Sequence, residues 1–367
     1  MFKNKENIIK TKQAIACGVL AVILSFSFAA CLVDADEEDN PNNPNNPSGD
    51  LQNWTAVPYS TFSDNYTGNI RAIAYGNNRF VAVGYSTAAG YPNIGRMAYS
   101  DDGVSWTAVS NSTFGTSIIL AITYGNNRFV AVGQSGKMAY SFDGVSWTAV
   151  ANSTIWDYQY NGQTSKASIR AIAYGNNRFV AVGQSGKMAR SPDGITWTAV
   201  SDSKFDTTEI RGIAYGNNRF VAGGNLGKMA YSADGESWTT VEDSTFKSTD
   251  IYDIAYGNNR FVAGRRDGQI AYSKDGESWT VVEDSTFRQY DSGYGYTTTA
   301  AINDIAYGGG RFVAGGDSGK MAYSADGVSW TAVEDSTFGD NYIIAIAYGN
   351  NRFVAVGGLG KMAYAHW

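Results

Sequence analysis

Six aspartates occupy the same place in a short repeated pattern, and carboxylates repeated in this way can bind metal ions or sugars. The pattern is S-x-D-G-x-x-W, and its six copies contain Asp102, Asp143, Asp193, Asp234, Asp275 and Asp326. A catalytic centre needs different residues that converge at one place, whereas these copies are spread along the chain. A carboxylate in this setting is typical of a tight turn that it closes by accepting backbone N–H bonds, with the Trp packed beside it. We therefore predict a structural role for these aspartates.

An arginine recurs in a second pattern, close to I-A-Y-G-N-N-R-F-V-A, which is present seven times. The arginines are Arg79, Arg128, Arg178, Arg219, Arg260, Arg311 and Arg352. The tyrosines of the copies are Tyr75, Tyr124, Tyr174, Tyr215, Tyr256, Tyr307 and Tyr348, so the period is 41 residues, with insertions of 8, 9 and 10. Because the arginine is the same in every copy, we predict that it contacts the neighbouring repeat or solvent.

The positions where the copies differ are better candidates for ligand binding. Three and four residues before the repeated Tyr, the polar members are Arg71, Arg170, Arg211, Tyr252, Asp253, Asn303 and Asp304. The segment that follows each F-V-A adds Arg266 and Asp317. A basic half opposite an acidic half suits a zwitterionic or hydrogen-bonding ligand. The alternative is that Arg and Asp pair with each other across neighbouring repeats.

The three insertions are rich in aromatic residues. They cover residues 85–95, 155–166 and 288–300, and the candidate contact residues in them are Trp156, Tyr158, Tyr160, Tyr290, Tyr294 and Tyr296. Aromatic side chains at this density in exposed loops suit contact with a protein or a carbohydrate. The alternative is that they pack the insertions down onto the body of the protein.

The elements that must position these residues are short strands. Residues 169–200 contain four strand-like segments, IRAIAYG, RFVAVG, KMARS and WTAV, separated by turn residues. Four strands per repeat of 40 to 50 residues predict a β-propeller. The fold class is therefore all-β, with residues 51–367 forming seven four-stranded blades, and residues 54–57 supplying the outer strand of the blade built from residues 343–365. The variable positions and the insertions then share one face of the ring.

The N-terminus has the form of an export signal. A basic stretch precedes the apolar run of residues 14–30, and Cys31 follows two small Ala residues. This arrangement resembles the lipobox of bacterial lipoproteins, with Phe28 in place of the usual Leu, and the resemblance implies a signal peptide over residues 1–30 and a lipidated Cys31. The alternatives are a plain cleaved signal and an uncleaved anchor. The polar residues 31–50 are then a disordered tether, and the protein is exported and anchored to the cell envelope.

The repeats also resemble two groups of propellers. S-x-D-G-x-x-W is similar to the Asp-box, or BNR repeat, of sialidase-like propellers, shortened by one residue between Asp and Gly. The segment VGQSGKMA followed by this box resembles propellers of the Ycf48 type, which assist photosystem assembly, and this resemblance covers residues 48–367. Both resemblances imply the fold, but a propeller hosts many unrelated activities.

The composition argues against some classes of partner and of metal site. After residue 30 the chain holds 24 basic and 33 acidic residues, a net charge of −9, which argues against nucleic acid as a partner. The only His is His366, next to the C-terminus, so we expect no His-ligated metal and no cofactor. The leading hypothesis is an envelope-anchored, monomeric binding propeller for a protein or glycan. The alternatives are a sialidase-like glycoside hydrolase, using Tyr252 with Glu209 and Asp253, and an assembly factor.

Overall fold

The structure, a computed structural model, describes residues 51–62, 67–87, 92–151, 154–242, 245–291 and 296–367. The predicted signal peptide, the predicted lipidation site Cys31 and the tether lie outside these residues, and so does Tyr294. The chain divides into the units Met1–Asn46 and Pro47–Trp367, and all described residues belong to the second. Among them, no helix is both long enough and apolar enough to span a membrane.

Short antiparallel strands make up almost all of the regular structure. In the first half of the chain they are β1 (Thr55–Ala56), β2 (Thr67–Gly76), β3 (Arg79–Thr87), β4 (Ile94–Ser100), β5 (Thr107–Ala108), β6 (Ile119–Gly125), β7 (Arg128–Gly133), β8 (Met138–Ser141), β9 (Thr148–Ala149), β10 (Asp157–Tyr160), β11 (Gln163–Lys166), β12 (Ile169–Gly175), β13 (Arg178–Gly183), β14 (Met188–Ser191) and β15 (Thr198–Ala199). In the second half they are β16 (Ile210–Gly216), β17 (Arg219–Gly224), β18 (Met229–Ser232), β19 (Thr239–Thr240), β20 (Ile251–Gly257), β21 (Arg260–Arg265), β22 (Ile270–Ser273), β23 (Thr280–Val281), β24 (Arg288–Asp291), β25 (Tyr296–Thr299), β26 (Ile302–Gly308), β27 (Arg311–Gly316), β28 (Met321–Ser324), β29 (Thr331–Ala332), β30 (Ile343–Gly349), β31 (Arg352–Gly357) and β32 (Met362–His366). Single 3-10 turns lie at Gln134–Gly136, Thr154–Trp156, Gln184–Gly186, Asn225–Gly227, Asp317–Gly319 and Gly358–Gly360.

In the described part of the chain these strands form seven four-stranded blades, as predicted. Blades 1 to 6 run in chain order from an inner to an outer strand and begin at β2, β6, β12, β16, β20 and β26. Blade 7 has the order β30, β31, β32, β1, so it contains both ends of the ring. Thr55 lies opposite Tyr364 and Ala56 opposite Ala363, and Trp54 packs in the core of that blade. The predicted ring closure is confirmed.

The hydrophobic core lies between adjacent blades. On the second strand of each blade, the F-V-A residues, such as Phe129 and Val130, have no exposed surface. Ala74 and Val81 of blade 1 pack with Ile122 and Phe129 of blade 2 in one cluster. Both faces of a blade are therefore covered by its neighbours, which explains the nearly continuous apolar run of this strand.

The glycine of the A-Y-G segment joins each blade to the next one. A Cβ on Gly175 would lie 2.0 Å from Cγ of Tyr215 in the following blade, so only glycine permits this contact. The Tyr215 ring is held in turn by Phe220, with 4.7 Å between ring centroids. The other joints are Gly76 with Tyr124, Gly125 with Tyr174, Gly216 with Tyr256, Gly257 with Tyr307, Gly308 with Tyr348 and Gly349 with Tyr75.

The S-x-D-G-x-x-W boxes close tight turns. Oδ1 of Asp102 accepts N–H bonds from Val104 at 2.8 Å and Ser105 at 2.7 Å, and the hydroxyl of Ser100 at 2.8 Å. Burial opposes ionisation of Asp102, but these bonds outweigh it and lower its pKa to about 2. The other five boxes make the same three bonds. The box carboxylates therefore have the structural role that the sequence predicts.

The repeated arginines connect neighbouring blades at these turns. Nη1 of Arg79 in blade 1 donates to the carbonyl oxygen of Asp143 in blade 2 at 2.8 Å, while its Nε donates to Asp101 at 2.6 Å. Arg178 donates likewise to the carbonyl oxygen of Asp234 in the next blade at 2.5 Å. Arg352 of blade 7 donates to the carbonyl oxygen of Asp102 in blade 1. These contacts agree with the predicted role between repeats.

The insertions form hairpins, where the sequence led us to expect loops. The first lengthens the β3–β4 pair, the second is the β10–β11 hairpin and the third is the β24–β25 hairpin. In the second, Asn161 and Gly162 have φ values of 49° and 74°, which is the left-handed conformation that a two-residue hairpin turn requires. The Asn-Gly pair is a sequence signal for this turn, and it predicts a hairpin here instead of a loop.

Candidate functional site at the channel mouth

A bulge in every inner strand positions the candidate residues. The pairing of each inner strand with the second strand shifts register between its first Ile and the residue two positions later. The residues left between them are Arg71, Leu120, Arg170, Arg211, Tyr252, Asn303 and Ile344. A bulge leaves its extra residue unpaired and redirects its side chain. The bulge thus occurs at a position where the repeats differ.

These seven residues line one cavity of about 630 Å³ at the mouth of the central channel. The cavity brings together the predicted residues Arg71, Arg170, Arg211, Tyr252, Asp253, Asn303, Asp304 and Asp317. Their positions span residues 71 to 317 of the sequence, so the ring gathers polar groups from five different blades. Arg266 is exposed, and it is not among the described residues that line this cavity.

Two arginines share one carboxylate on the basic side of the cavity. Nε of Arg170 donates to Oε1 of Glu209 at 2.5 Å, and Nη2 of Arg211 lies 3.1 Å from Oε2 of the same residue. Arg211 also donates from Nε to the side-chain oxygen of Asn225, and its guanidinium lies 5.0 Å from the centroid of the Tyr252 ring. These contacts fix both guanidinium groups, and each arginine side chain is still 31% exposed.

Arg71 has a different environment. Its guanidinium lies 5.8 Å from the centroid of the Tyr85 ring, and its Nε has no hydrogen-bond partner among the described residues. Asn69 donates to the Tyr85 hydroxyl at 2.7 Å and so holds this ring in place. Arg71 is therefore the cationic group of the cavity with the fewest competing contacts.

The two aspartates of the acidic side bind the backbone of the following blades. Oδ2 of Asp253 accepts the N–H of Ile305 at 2.9 Å, and Oδ2 of Asp304 accepts the N–H of Ile346 at 2.7 Å. Both residues keep a partly exposed surface, but protein atoms surround their carboxyl groups. Burial raises the pKa of Asp253 to about 6, and burial together with the charge of Asp253 raises the pKa of Asp304 well above its ordinary value.

No arginine pairs with these two aspartates in the described part of the chain, so the Arg–Asp pairing considered above does not occur. On the basic side, the arginines Arg170 and Arg211 pair with Glu209 and not with an aspartate. On the acidic side, Nδ2 of Asn303 donates to Oδ1 of Asp317 and to the carbonyl oxygen of Ile343, both at 3.0 Å. The charge asymmetry predicted from the sequence is thus present, with each half fixed by its own contacts.

The insertion aromatics divide into three groups. The prediction that Trp156 is an exposed contact residue is wrong, since 1% of its surface is exposed and it packs with Val132 and Ile169 between blades 2 and 3. Tyr158 is half-buried against the same cluster. Tyr160, Tyr290 and Tyr296 belong to the inserted hairpins, but their side chains lie outside the described part of the structure, as does the whole of Tyr294.

Sequence reasoning missed the residue immediately before the first Ile of each inner strand. At this position Asn69 and Tyr342 line the cavity, Tyr342 with 55% of its surface exposed, and Glu209 bridges the two arginines. The sequence pattern suggests Glu209 only as a member of the hydrolase set. The signal was available, because this position also differs between the repeats.

Comparison with known proteins identifies the fold. No protein-family model matches the chain, and no curated protein matches its sequence. Solved structures do match it. The chain forms a seven-bladed β-propeller. It is similar to YCF48 bound to D1 peptide, with a TM-score of 0.59 and 17% identity over 85% of this chain and 96% of that one.

Two further structures show the same architecture. YCF48 from Cyanidioschyzon merolae has a TM-score of 0.57 and 17% identity over 85% of this chain and 98% of its own. A catalytically inactive virginiamycin B lyase from Staphylococcus aureus, with quinupristin, has a TM-score of 0.63 and 10% identity over 86% and 99%. At these identities the likeness extends to the fold alone, and the function must be argued from the site.

Proposed function

We propose that this protein is a binding propeller of the bacterial cell envelope that takes a segment of a partner protein into its channel mouth. The observation that carries the proposal is the cavity of about 630 Å³, in which polar side chains from five blades meet beside apolar ones. A concave site with a few convergent polar groups is the usual form of a binding site. Our proposal assigns no catalytic residue.

The charges of the cavity favour a partner that offers carboxylates. Arg71 has no carboxylate partner in the described structure, and Arg170 and Arg211 share the single carboxylate of Glu209. The basic side therefore carries more cationic than anionic groups. Guanidinium groups held in fixed orientations bind carboxylates strongly, through paired N–H···O bonds. Acidic side chains or a chain terminus of a protein would supply such a group.

A protein partner is favoured over a glycan by the similar propeller that was solved with a peptide, YCF48 bound to D1 peptide. Glycan binding stays as the alternative, because the aromatic side chains Tyr85, Tyr252 and Tyr342 at the mouth suit either class. An assembly role, as in the Ycf48-type resemblance, differs from this proposal only in the identity of the partner.

The location is part of the proposal. Residues 1–30 have the form of a signal peptide, Cys31 stands at the position of a lipidated residue, and a polar tether leads into the propeller. The proposal includes a monomeric state, which is supported by the strand order β30, β31, β32, β1, because this order closes the ring without a strand from a second chain. Labelling with a fatty-acid analogue tests the anchor, which should be lost in Cys31→Ala.

The hydrolase alternative gains no support from the contacts of its three residues. Glu209 binds two arginines, and burial raises the pKa of Tyr252 despite the opposing charge of Arg211. A tyrosine nucleophile requires easier ionisation, and therefore a lower pKa. Asp253 binds the backbone N–H of Ile305. We therefore do not assign sialidase activity.

Site-specific crosslinking tests the binding proposal. A photo-reactive amino acid is placed at Tyr342, which lines the cavity, and as a control at Phe142, which is 56% exposed in a box turn. The full-length protein is irradiated in envelope extracts. Discrete protein adducts from position 342, weakened by Arg71→Ala and not obtained from position 142, would support the proposal. Equal adducts from both positions, or adducts indifferent to Arg71→Ala, would refute it.

A further inference from the structure

Two exposed leucines stand out on the loops between the second and third strands. Leu226 and Leu359 are 60% and 58% exposed, and both have a left-handed backbone with φ values of 59° and 55°. The equivalent residues of blades 2, 3 and 6 are Ser135, Ser185 and Ser318, with φ values of 57°, 56° and 54°. The loop geometry therefore does not require leucine. Two large apolar side chains are held in water in a conformation that leucine seldom adopts.

The next blade holds each leucine in this position. The N–H of Leu226 donates to Oδ1 of Asp250 at 3.0 Å, and the N–H of Leu359 donates to Oδ1 of Asn69 at 3.1 Å. Both acceptors occupy the position immediately before the first Ile of an inner strand. The same device thus occurs at the boundary of blades 4 and 5 and again at the boundary of blades 7 and 1.

An arginine stacked on a tyrosine lies beside Leu226. Asn225, which precedes it, accepts the Nε hydrogen bond of Arg211, whose guanidinium lies 5.0 Å from the Tyr252 ring centroid. Arg211 and Tyr252 also line the cavity. The apolar side chain is therefore adjacent to a fixed cation.

The surroundings of Leu359 contain the same residue types in a different arrangement, because Arg71 and Tyr85 both belong to the next blade whereas Arg211 belongs to the blade of Leu226. Asn69, which binds its backbone, donates to the hydroxyl of Tyr85, and the guanidinium of Arg71 lies 5.8 Å from the Tyr85 ring centroid. Arg71 and Asn69 line the same cavity. Leucine, arginine and tyrosine thus come together twice at one rim, each time across a boundary between two blades.

The two arrangements face each other across the mouth. Leu226 belongs to blade 4 and Leu359 to blade 7, and a separation of three blades in a ring of seven places them on nearly opposite sides. The cavity, with Asp253 and Asp304 on its wall, lies within the ring between them. A molecule that contacts both leucines must therefore cross the channel mouth.

We propose that Leu226, Arg211 and Tyr252 on one side, and Leu359, Arg71 and Tyr85 on the other, are two subsites of the same composition for one extended protein segment. In that segment, each of two apolar side chains lies beside an acidic one. The acidic side chains bind Arg211 and Arg71, and the apolar side chains cover the leucines. Charge complementarity and the repeated leucine–arginine pairing select this partner. The inference rests on the proposed function and adds the chemistry of its partner.

The test selects from a displayed library of random linear peptides of about twelve residues, long enough to span ~40 Å when extended. The full-length protein is the target. We expect enriched peptides to carry two apolar–acidic pairs. Leu226→Ser and Leu359→Ser should each weaken their binding about tenfold, since each removes burial of one partly covered leucine. The serines of the equivalent loops show that these variants can fold, and Phe142→Ala is the matched control for an exposed apolar residue outside the site.

The outcomes separate the inference from the proposed function. One outcome is that peptides bind the double variant Leu226→Ser, Leu359→Ser as tightly as they bind the wild-type protein, yet lose binding to Arg71→Ala. That result overturns the two subsites and leaves the proposed binding function intact. Enriched peptides without paired apolar and acidic residues also overturn the inference. No enrichment, or enrichment indifferent to both the leucine and the Arg71 variants, overturns the inference together with a protein partner at this mouth.

Discussion

Replacing Gly175 by alanine is expected to break the joint between blades 3 and 4. The added Cβ would lie 2.0, 2.2 and 2.5 Å from Cγ, Cδ1 and Cδ2 of Tyr215, so the ring must move. Phe220 limits that movement, because its ring centroid is 4.7 Å from that of Tyr215. An extra methyl group in a packed core costs about 1 to 3 kcal/mol. Since three ring atoms are displaced, we expect a loss of about 3 kcal/mol in the free energy of unfolding.

Urea unfolding, followed by tryptophan fluorescence, measures this loss. Gly310→Asn is the matched control, because no atom lies within 4 Å of its added Cβ and the other six repeats have Asn at this place. It should change the free energy of unfolding by less than about 0.5 kcal/mol. In a Tyr215→Ala background, Gly175→Ala should cost under about 1 kcal/mol. An equal cost with and without the Tyr215 ring would refute the explanation by close contact.

Two further predictions concern the dependence of stability on pH. The pKa of Asp102 is lowered to about 2 from 3.8, so its stabilising contribution is complete above its ordinary pKa and is lost as the pH falls towards 2. Urea midpoints between pH 2 and 5 should therefore depend less on pH in Asp102→Asn, and an unchanged slope would contradict this. The pKa of Asp253 is raised to about 6 from 3.8, so the folded protein binds this proton more tightly and loses stability as the pH rises through that window. Asp253→Asn should flatten this decline and be more stable than wild type at pH 8; a variant less stable at pH 8 would contradict the reasoning.

The fold was predictable because the repeats mark their own strands and turns. Seven copies of the decapeptide predict seven blades. The W-T-A-V segment of residues 54–57 has no inner strand before it in the sequence, and this indicated the ring closure. The hairpin form of the insertions was missed, although Asn161 and Gly162 supply the turn. Turn residues inside a long insertion are easily read as a loop when the flanking strands, such as β10 and β11, are only four residues long.

The site was predictable only in part. Variation between repeats identified the bulged positions. Where the blade structure does not require a particular residue type, the residue can differ between repeats and can be used to bind a ligand. The pairing of Arg170 with Glu209 was not predictable, because the partners belong to different blades and lie 39 residues apart in the chain. The burial of Trp156 depends on the space beside Gly136 in the preceding blade, where an added Cβ would lie 2.8 Å from the Cβ of Trp156. Both contacts join residues that are far apart in the chain, so a short stretch of sequence shows neither of them.

The Gly–Tyr joints have a consequence for assembly. Since all seven joints use the same two residues in the same geometry, the joint of Gly175 with Tyr215 does not distinguish its correct neighbour from any other blade. Correct blade order must come from chain connectivity and from the few elements that differ, such as the hairpins. Within blade 7, the strand pairing that joins the two ends of the ring is only two residues long, at β1. A newly made chain in which β1 has not yet docked can therefore exchange blades with another copy, and domain-swapped dimers are the misfolded product that this architecture favours.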